Sequence, residues 1–206
     1  MTGVAAKRFH LMLLLLASIV FVWSAIHPHD LFTWFLEVAP AIIAAVILAL
    51  TYGRFTLTNL AYTLIAAHAC ILMIGGHYTY AEVPLFNWIR DHFQLSRNHY
   101  DRVGHFAQGF VPAIVAREIL LRLSPLKKGK FLLFIVVSIC LAISASYELI
   151  EFLVSVMTGS AGDAFLGTQG DPWDTQEDMA MALVGALAAL FLLGRWHDRQ
   201  LARIES

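Results

Sequence analysis

Residues 130–156 read KFLLFIVVSICLAISASYELIEFLVSV, and the fold turns on how that stretch is taken. From Phe131 to Ala145 it carries no charge, and the whole run is long enough for a helix across a bilayer, which needs about 20 residues. Glu148 and Glu151 then follow one helical turn apart. An ionised carboxylate at membrane depth costs about 3 kcal/mol on insertion scales unless it is paired, protonated or bound to a cation. The segment therefore reads as a membrane helix with one face turned to lipid and the other to polar protein.

Composition extends this reading to the whole chain. Of 206 residues, 59% are hydrophobic and 14% charged, too little polar surface for a soluble domain of this size. Windows of spanning length fall at about 10–27, 32–52, 57–76, 102–122, 130–156 and 173–195. The expected fold is all-α and polytopic, with six transmembrane helices in a single integral domain covering 1–206. The first window follows Lys7 and Arg8, lacks a small-residue cleavage site, and is retained as a span.

Six spans put both termini on one side. With that side cytoplasmic, Lys7, Arg8, Arg54, Arg117, Arg122, Lys127, Lys128, Lys130, Arg195, Arg199 and Arg203 lie inside, 11 of the 14 basic residues. The expected location is the bacterial inner membrane with cytoplasmic termini. Twelve of the 15 acids then fall in the outer half. Exclusion of basic residues explains those in loops, but not those within spans.

Three helices carry such acids. The fourth opens NHYDRVGHFAQG, where Asp101, His105 and Gln108 share a face at i, i+4 and i+7 beside Arg102. The fifth brings Glu148 and Glu151 to its outer third. The sixth opens GDPWDTQEDMAM, in which Asp171 suits an N-cap, Pro172 the first helical position, and Asp174 and Asp178 stack at i, i+4. Arg102 alone does not balance the four carboxylates Glu148, Glu151, Asp174 and Asp178. Either some are protonated or a divalent cation sits among them, with His105, Glu148, Glu151, Asp174 and Asp178 as candidate ligands. Asp101, Arg102, Gln108 and Asp171 complete the expected polar site. The competing view is an ion-paired network that only packs helices.

The arrangement D-R-x-x-H-F, then Y-E-x-x-E-F, then D-x-W-D-x-x-x-D-M before a small-residue run containing Gly185, closely resembles the uncharacterised bacterial inner-membrane proteins typified by YjdF. It is more distantly similar to VanZ, whose members pair a basic-x-x-His with an E-x-x-Q and an Asp-rich segment. The resemblance implies that Asp101, His105, Glu148, Glu151, Asp174 and Asp178 occupy motif positions, and it implies no activity. Glu151 stands where VanZ has Gln, and Asp178 near its Asn, so this site is the more acidic.

Two outer connections flank the site. In PLFNWIRDHFQL, Leu85, Phe86, Ile89 and Phe93 fall on one face and Asn87, Arg90, Asp91 and Gln94 on another, an interfacial helix by pattern. The segment TGSAGDAFLGTQGDPWD carries Gly159, Gly162, Gly167 and Gly170, which suits a lid. Arg117 is expected to snorkel at the inner end of the fourth span. His68, Cys70 and Cys140 read as packed residues in apolar spans.

No serine or cysteine nucleophile lies beside His105, no nucleotide loop appears, and no nucleic-acid partner is expected. Three function classes remain. The first is an outer-leaflet membrane enzyme or lipid-binding protein, with His105, Glu148, Glu151 and Asp174 as its acid/base or ligand groups and an envelope lipid or, as the VanZ resemblance implies, a glycopeptide-related ligand as partner. The second is a non-catalytic membrane component that orders helices or docks a partner. The third is a small proton- or cation-coupled transporter, against which stands the absence of an inverted repeat.

Overall fold

The computed structural model describes residues 3–159 and 163–205. Among the described residues eight helices follow in order: α1 Gly3–Ser24, α2 Leu31–Thr51, α3 Asn59–Tyr78, α4 Pro84–Phe93, α5 Tyr100–Leu123, α6 Lys130–Thr158, α7 Asp163–Leu166 and α8 Asp174–Glu205. The six long helices match the six expected windows. The last runs well past its apolar window, through Arg195, Asp198 and Arg203. Pro40 and Pro112 lie inside α2 and α5, and both helices continue through them.

Five of the six, all but α5, are long and apolar enough to cross a membrane by themselves. α5 carries Asp101, Arg102, His105, Arg117, Glu118 and Arg122, yet it is the most enclosed helix, with Arg102, His105, Arg117 and Glu118 all buried. It packs most extensively on α8 and also touches α3 and α6. Neighbours shield it from lipid, so its polar groups meet protein. α1 is the opposite case: only 6% of its apolar window is buried, and Leu11, Leu14, Leu15, Ile19 and Val22 are exposed for lipid to cover.

Two glycines set the spacing of the α5–α8 pair. A Cβ on Gly109 would overlap the backbone carbonyl of Ala182, and one on Gly185 would overlap that of Phe106. Small residues let membrane helices approach this closely and replace the hydrophobic effect with dense packing. The core beneath this contact joins Ala113, Ile114, Val136, Cys140, Ala186 and Ala189.

Long-range contacts show that successive helices run antiparallel. At one end Trp34 Nε1 donates to Ser24 Oγ at 3.1 Å, and the His29 amide donates to the His77 carbonyl at 2.9 Å. At the other, His10 lies 2.8 Å from both Tyr52 Oη and Asn59 Oδ1. The first end collects Asp101 of α5, Glu148 and Glu151 of α6, and Asp174 and Asp178 of α8. The second collects Arg117, Arg122, Lys128 and Arg195. They are called the acidic and basic ends below.

α4 forms where the amphipathic pattern places it, with Pro84 at its first turn. Its faces divide differently from the expectation. Phe86 turns inward, edge-on to Tyr100 with ring centroids 5.3 Å apart, while Leu85, Trp88 and Phe93 are exposed. Tyr100 anchors the α4–α5 corner, and no residue of α4 is fully buried.

Candidate functional site

The acidic end is built on α5 and α8. His105, one turn into α5, directs Nε2 to within 3.3 Å of Asp101 Oδ1 and 3.8 Å of Asp178 Oδ1. Its Nδ1 lies 3.3 Å from Gln108 Oε1 and 3.6 Å from Glu148 Oε1. The i, i+4 and i+7 spacing on α5 thus delivers the shared face that the sequence implies, and α6 and α8 close over it.

Two arginines hold the α8 carboxylates. Arg102 donates to Asp178, lies 2.9 Å from Asp174 Oδ1 and 2.8 Å from Glu177 Oε2, and reaches Asp171 at 3.4 Å. Arg97 donates to Asp174, lies 3.3 Å from Asp171 Oδ2, and sits 3.6 Å from Asp101. Both guanidiniums are buried. Arg97 is the group that sequence reasoning missed. It belongs to the loop before α5, and its i, i+4 spacing to Asp101 was the available signal.

Asp171 does not cap α8. Its Oδ1 accepts the Trp173 amide at 2.9 Å, a local turn, and α8 begins at Asp174. The helix starts two residues later than Asp171 and Pro172 imply, because the Asp171 side chain bonds two residues ahead within the loop.

Glu37 of α2 also enters the site. It is buried and accepts from Tyr147 Oη at 3.1 Å across 110 residues of sequence. Tyr147 stacks edge-on to His105 at 6.4 Å and to Phe165 at 6.2 Å. Glu151 is buried too, and no cation lies within 4 Å of it among the described residues.

Eight acids, Glu37, Asp101, Glu148, Glu151, Asp171, Asp174, Glu177 and Asp178, therefore gather with three basic groups, Arg97, Arg102 and His105. Glu148 Oε1 and Ser144 Oγ are buried without a hydrogen-bond partner. Ligand atoms of Asp101, His105 and Asp178 lie within 4.8 Å of one another, compact enough to hold a metal ion after small adjustments. This trio differs from the expected ligand set. Asp101 joins it, Asp174 is taken by the two arginines, and Glu148 stands alongside through His105 Nδ1.

The described part of the glycine-rich connection covers the site and is tied down. Phe165 is buried, the Gly167 carbonyl accepts from Arg97 at 3.3 Å, and Gln169 exchanges two 2.9 Å hydrogen bonds with the Asn98 backbone. Gly159, Gly167 and Gly170 adopt positive φ, which explains glycine there. Gly162 lies outside the described residues.

The basic end holds a second polar cluster that the sequence reading passed over. Glu118 accepts from the Thr58 amide and hydroxyl at 2.8 and 2.7 Å and from Arg122 at 2.7 Å, and His197 Nε2 lies 3.0 Å away. Arg117 does not snorkel. It is buried, 3.0 Å from His197 Nδ1 and 2.6 Å from Asp198, because α8 continues past it and supplies those partners.

Comparison with known proteins agrees with this architecture. Residues 9–199 match the family model described as "Predicted membrane protein (DUF2238)". The chain is 50% identical over 186 residues to "Inner membrane protein YjdF" of Escherichia coli (strain K12), covering 90% of this chain and 89% of that protein. No solved structure matches.

Proposed function

The chain belongs to the DUF2238 family and is a multi-pass inner-membrane protein; from that premise we propose that its acidic end faces the periplasm and binds a divalent cation through Asp101, His105 and Asp178. The observation that carries the reading is the ligand trio beside Glu148 Oε1, which is buried without a hydrogen-bond partner, in a cluster where acids outnumber basic groups eight to three. A cation there offsets like-charge repulsion in a low-dielectric setting, where uncompensated carboxylates are costly.

The orientation is supported by the gathering of basic residues at the other end. An envelope lipid is the favoured ligand of the bound cation. Leu149, Ile150, Phe152 and Leu153 of α6 are exposed in the same turns as the buried Glu148 and Glu151, and α4 presents Leu85, Trp88 and Phe93 at the same end. These surfaces support a site near head-group level. A bound cation would polarise a phosphoryl oxygen or lower the pKa of its water, with Glu148 as the proton acceptor.

The second reading is a non-catalytic helix-ordering network, favoured by the hold of Arg97 and Arg102 on Asp174 and Asp178. The two separate in a thermal melt of purified protein. Under the cation reading, chelator lowers Tm, added Mn²⁺, Zn²⁺, Mg²⁺ or Ca²⁺ restores it, and Asp101→Asn abolishes the response. Melting indifferent to chelator and to all four ions supports the network alone. The lipid half is read by binding or hydrolysis of phospholipid in nanodiscs with and without the ion, and no difference between the two rejects it.

A further inference from the structure

At the basic end, a groove of about 920 Å³ runs between the start of α6 and the later part of α8. Arg117, Lys128 and Arg195 line its polar part, with Asp198 as its acid. Asp198 is already shared by Arg117 and Lys128, at 2.6 and 3.0 Å. Arg195 is exposed and stands outside the ion pairs of the described residues. Three cations to one acid leave the groove positive.

Its remaining walls are apolar: Leu132, Leu133 and Val136 from α6, Leu187, Leu190 and Phe191 from α8. Phe191 and Leu133 are exposed, so the groove opens sideways to lipid. Gly129 lines the polar part directly before α6, whose first turn has no side-chain cap. A Cβ on Gly129 would meet nothing within 4 Å, so there is open space directly before the uncapped turn. The N-terminal amides of a helix favour an anion.

We propose that this groove binds one anionic phospholipid, its phosphate between Arg117, Lys128, Arg195 and the start of α6, and an acyl chain along Leu133, Leu187 and Phe191. Charge complementarity fixes the sign of the head group. The lateral apolar walls select a lipid over a free phosphate ion. Basic pockets between transmembrane helices at the cytoplasmic face commonly hold anionic head groups. The site is independent of the acidic end, which lies at the far ends of the same helices.

The experiment is native mass spectrometry of the full-length protein in detergent, titrated with phosphatidylglycerol, phosphatidylethanolamine or inorganic phosphate. The wild type is expected to retain one phosphatidylglycerol in preference to phosphatidylethanolamine. The Lys128→Gln/Arg195→Gln double variant should bind it about thirtyfold more weakly, the usual effect of removing two basic groups beside an anionic head group. Leu187→Glu should weaken it as well by placing an acid in the wall. Arg8→Gln/Arg54→Gln, which removes equal charge from the same end but outside the groove, should change affinity by less than about twofold. Equal weakening in the two double variants, equal binding of phosphatidylethanolamine, or full displacement by inorganic phosphate would overturn the proposal. Lys128 and Arg195 are exposed, and an Arg195→Lys variant that keeps most of the affinity confirms that charge is being read.

Discussion

The two ends of the α5–α8 pair bury polar groups in opposite ways. At the basic end the Glu118 carboxylate accepts from Thr58 twice and from Arg122, and faces His197, so its charge is matched within the protein. At the acidic end eight acids share three basic groups, and Glu148 Oε1 accepts no hydrogen bond among the described residues, its nearest cationic group being His105 Nδ1 at 3.6 Å. Burial inside a membrane bundle is thus not itself a sign of function. The informative feature is whether the buried group's demand is met by the chain.

The comparison is broken most severely at the basic end. Glu118→Ala strands Arg122, His197 and Thr58 and is expected to cost about 3–5 kcal/mol, the usual penalty for removing one partner of a buried charged network. A denaturant titration in detergent micelles reads this directly, and a loss under about 1 kcal/mol would show that the clamp carries little stability. Gly185→Ala follows, since its Cβ would strike the Phe106 carbonyl. Prying α5 from α8 should cost about 1–3 kcal/mol and disturb both clusters together. Stability within a few tenths of wild type would contradict the close approach.

Glu148→Gln sharpens the contrast by its sign. Removing a negative charge from the crowded end should leave metal-free protein unchanged or slightly more stable, whereas Glu118→Gln destabilises at the other end. Losses of equal size at both ends would mean that the acidic cluster is as well satisfied as the basic one.

The smallest effect lies between α1 and α2, outside both clusters. Asp30 caps α2 by accepting the Thr33 amide at 2.7 Å, and that hydrogen bond holds its carboxyl below the usual range. A depressed folded pKa contributes stability that is present above the unfolded value of about 4 and lost as pH falls through the folded value. Asp30→Ala should cost about 1 kcal/mol at neutral pH. The gap to wild type should narrow below about pH 4, and a gap independent of pH would remove the charge from the explanation.

Much of this architecture was legible in the sequence because lipid imposes length and hydropathy on each helix. The face shared by Asp101, His105 and Gln108 follows from helical period alone, and so does the pairing of Glu148 with Glu151. Arg97 was harder, since it lies in a loop and reaches Asp174 only through the turn into α5. Glu37 and Tyr147 meet across 110 residues with no spacing to announce them. Arg117 was misread for a related reason: snorkelling assumes a helix end open to water, and the extension of α8 supplied His197 and Asp198 instead. Local periodicity reveals which residues share a face, while partners from distant helices are set by packing.

The most direct test of the acidic end is metal content by elemental mass spectrometry on protein purified in detergent, alongside His105→Ala and Asp178→Asn variants shown to be folded by circular dichroism. A near-stoichiometric divalent metal in wild type, lost in both variants, is the predicted result. Metal-free wild type that stays folded and gains none on dialysis against the four ions would contradict the cation site and leave the acidic end as a protonated, ion-paired cluster.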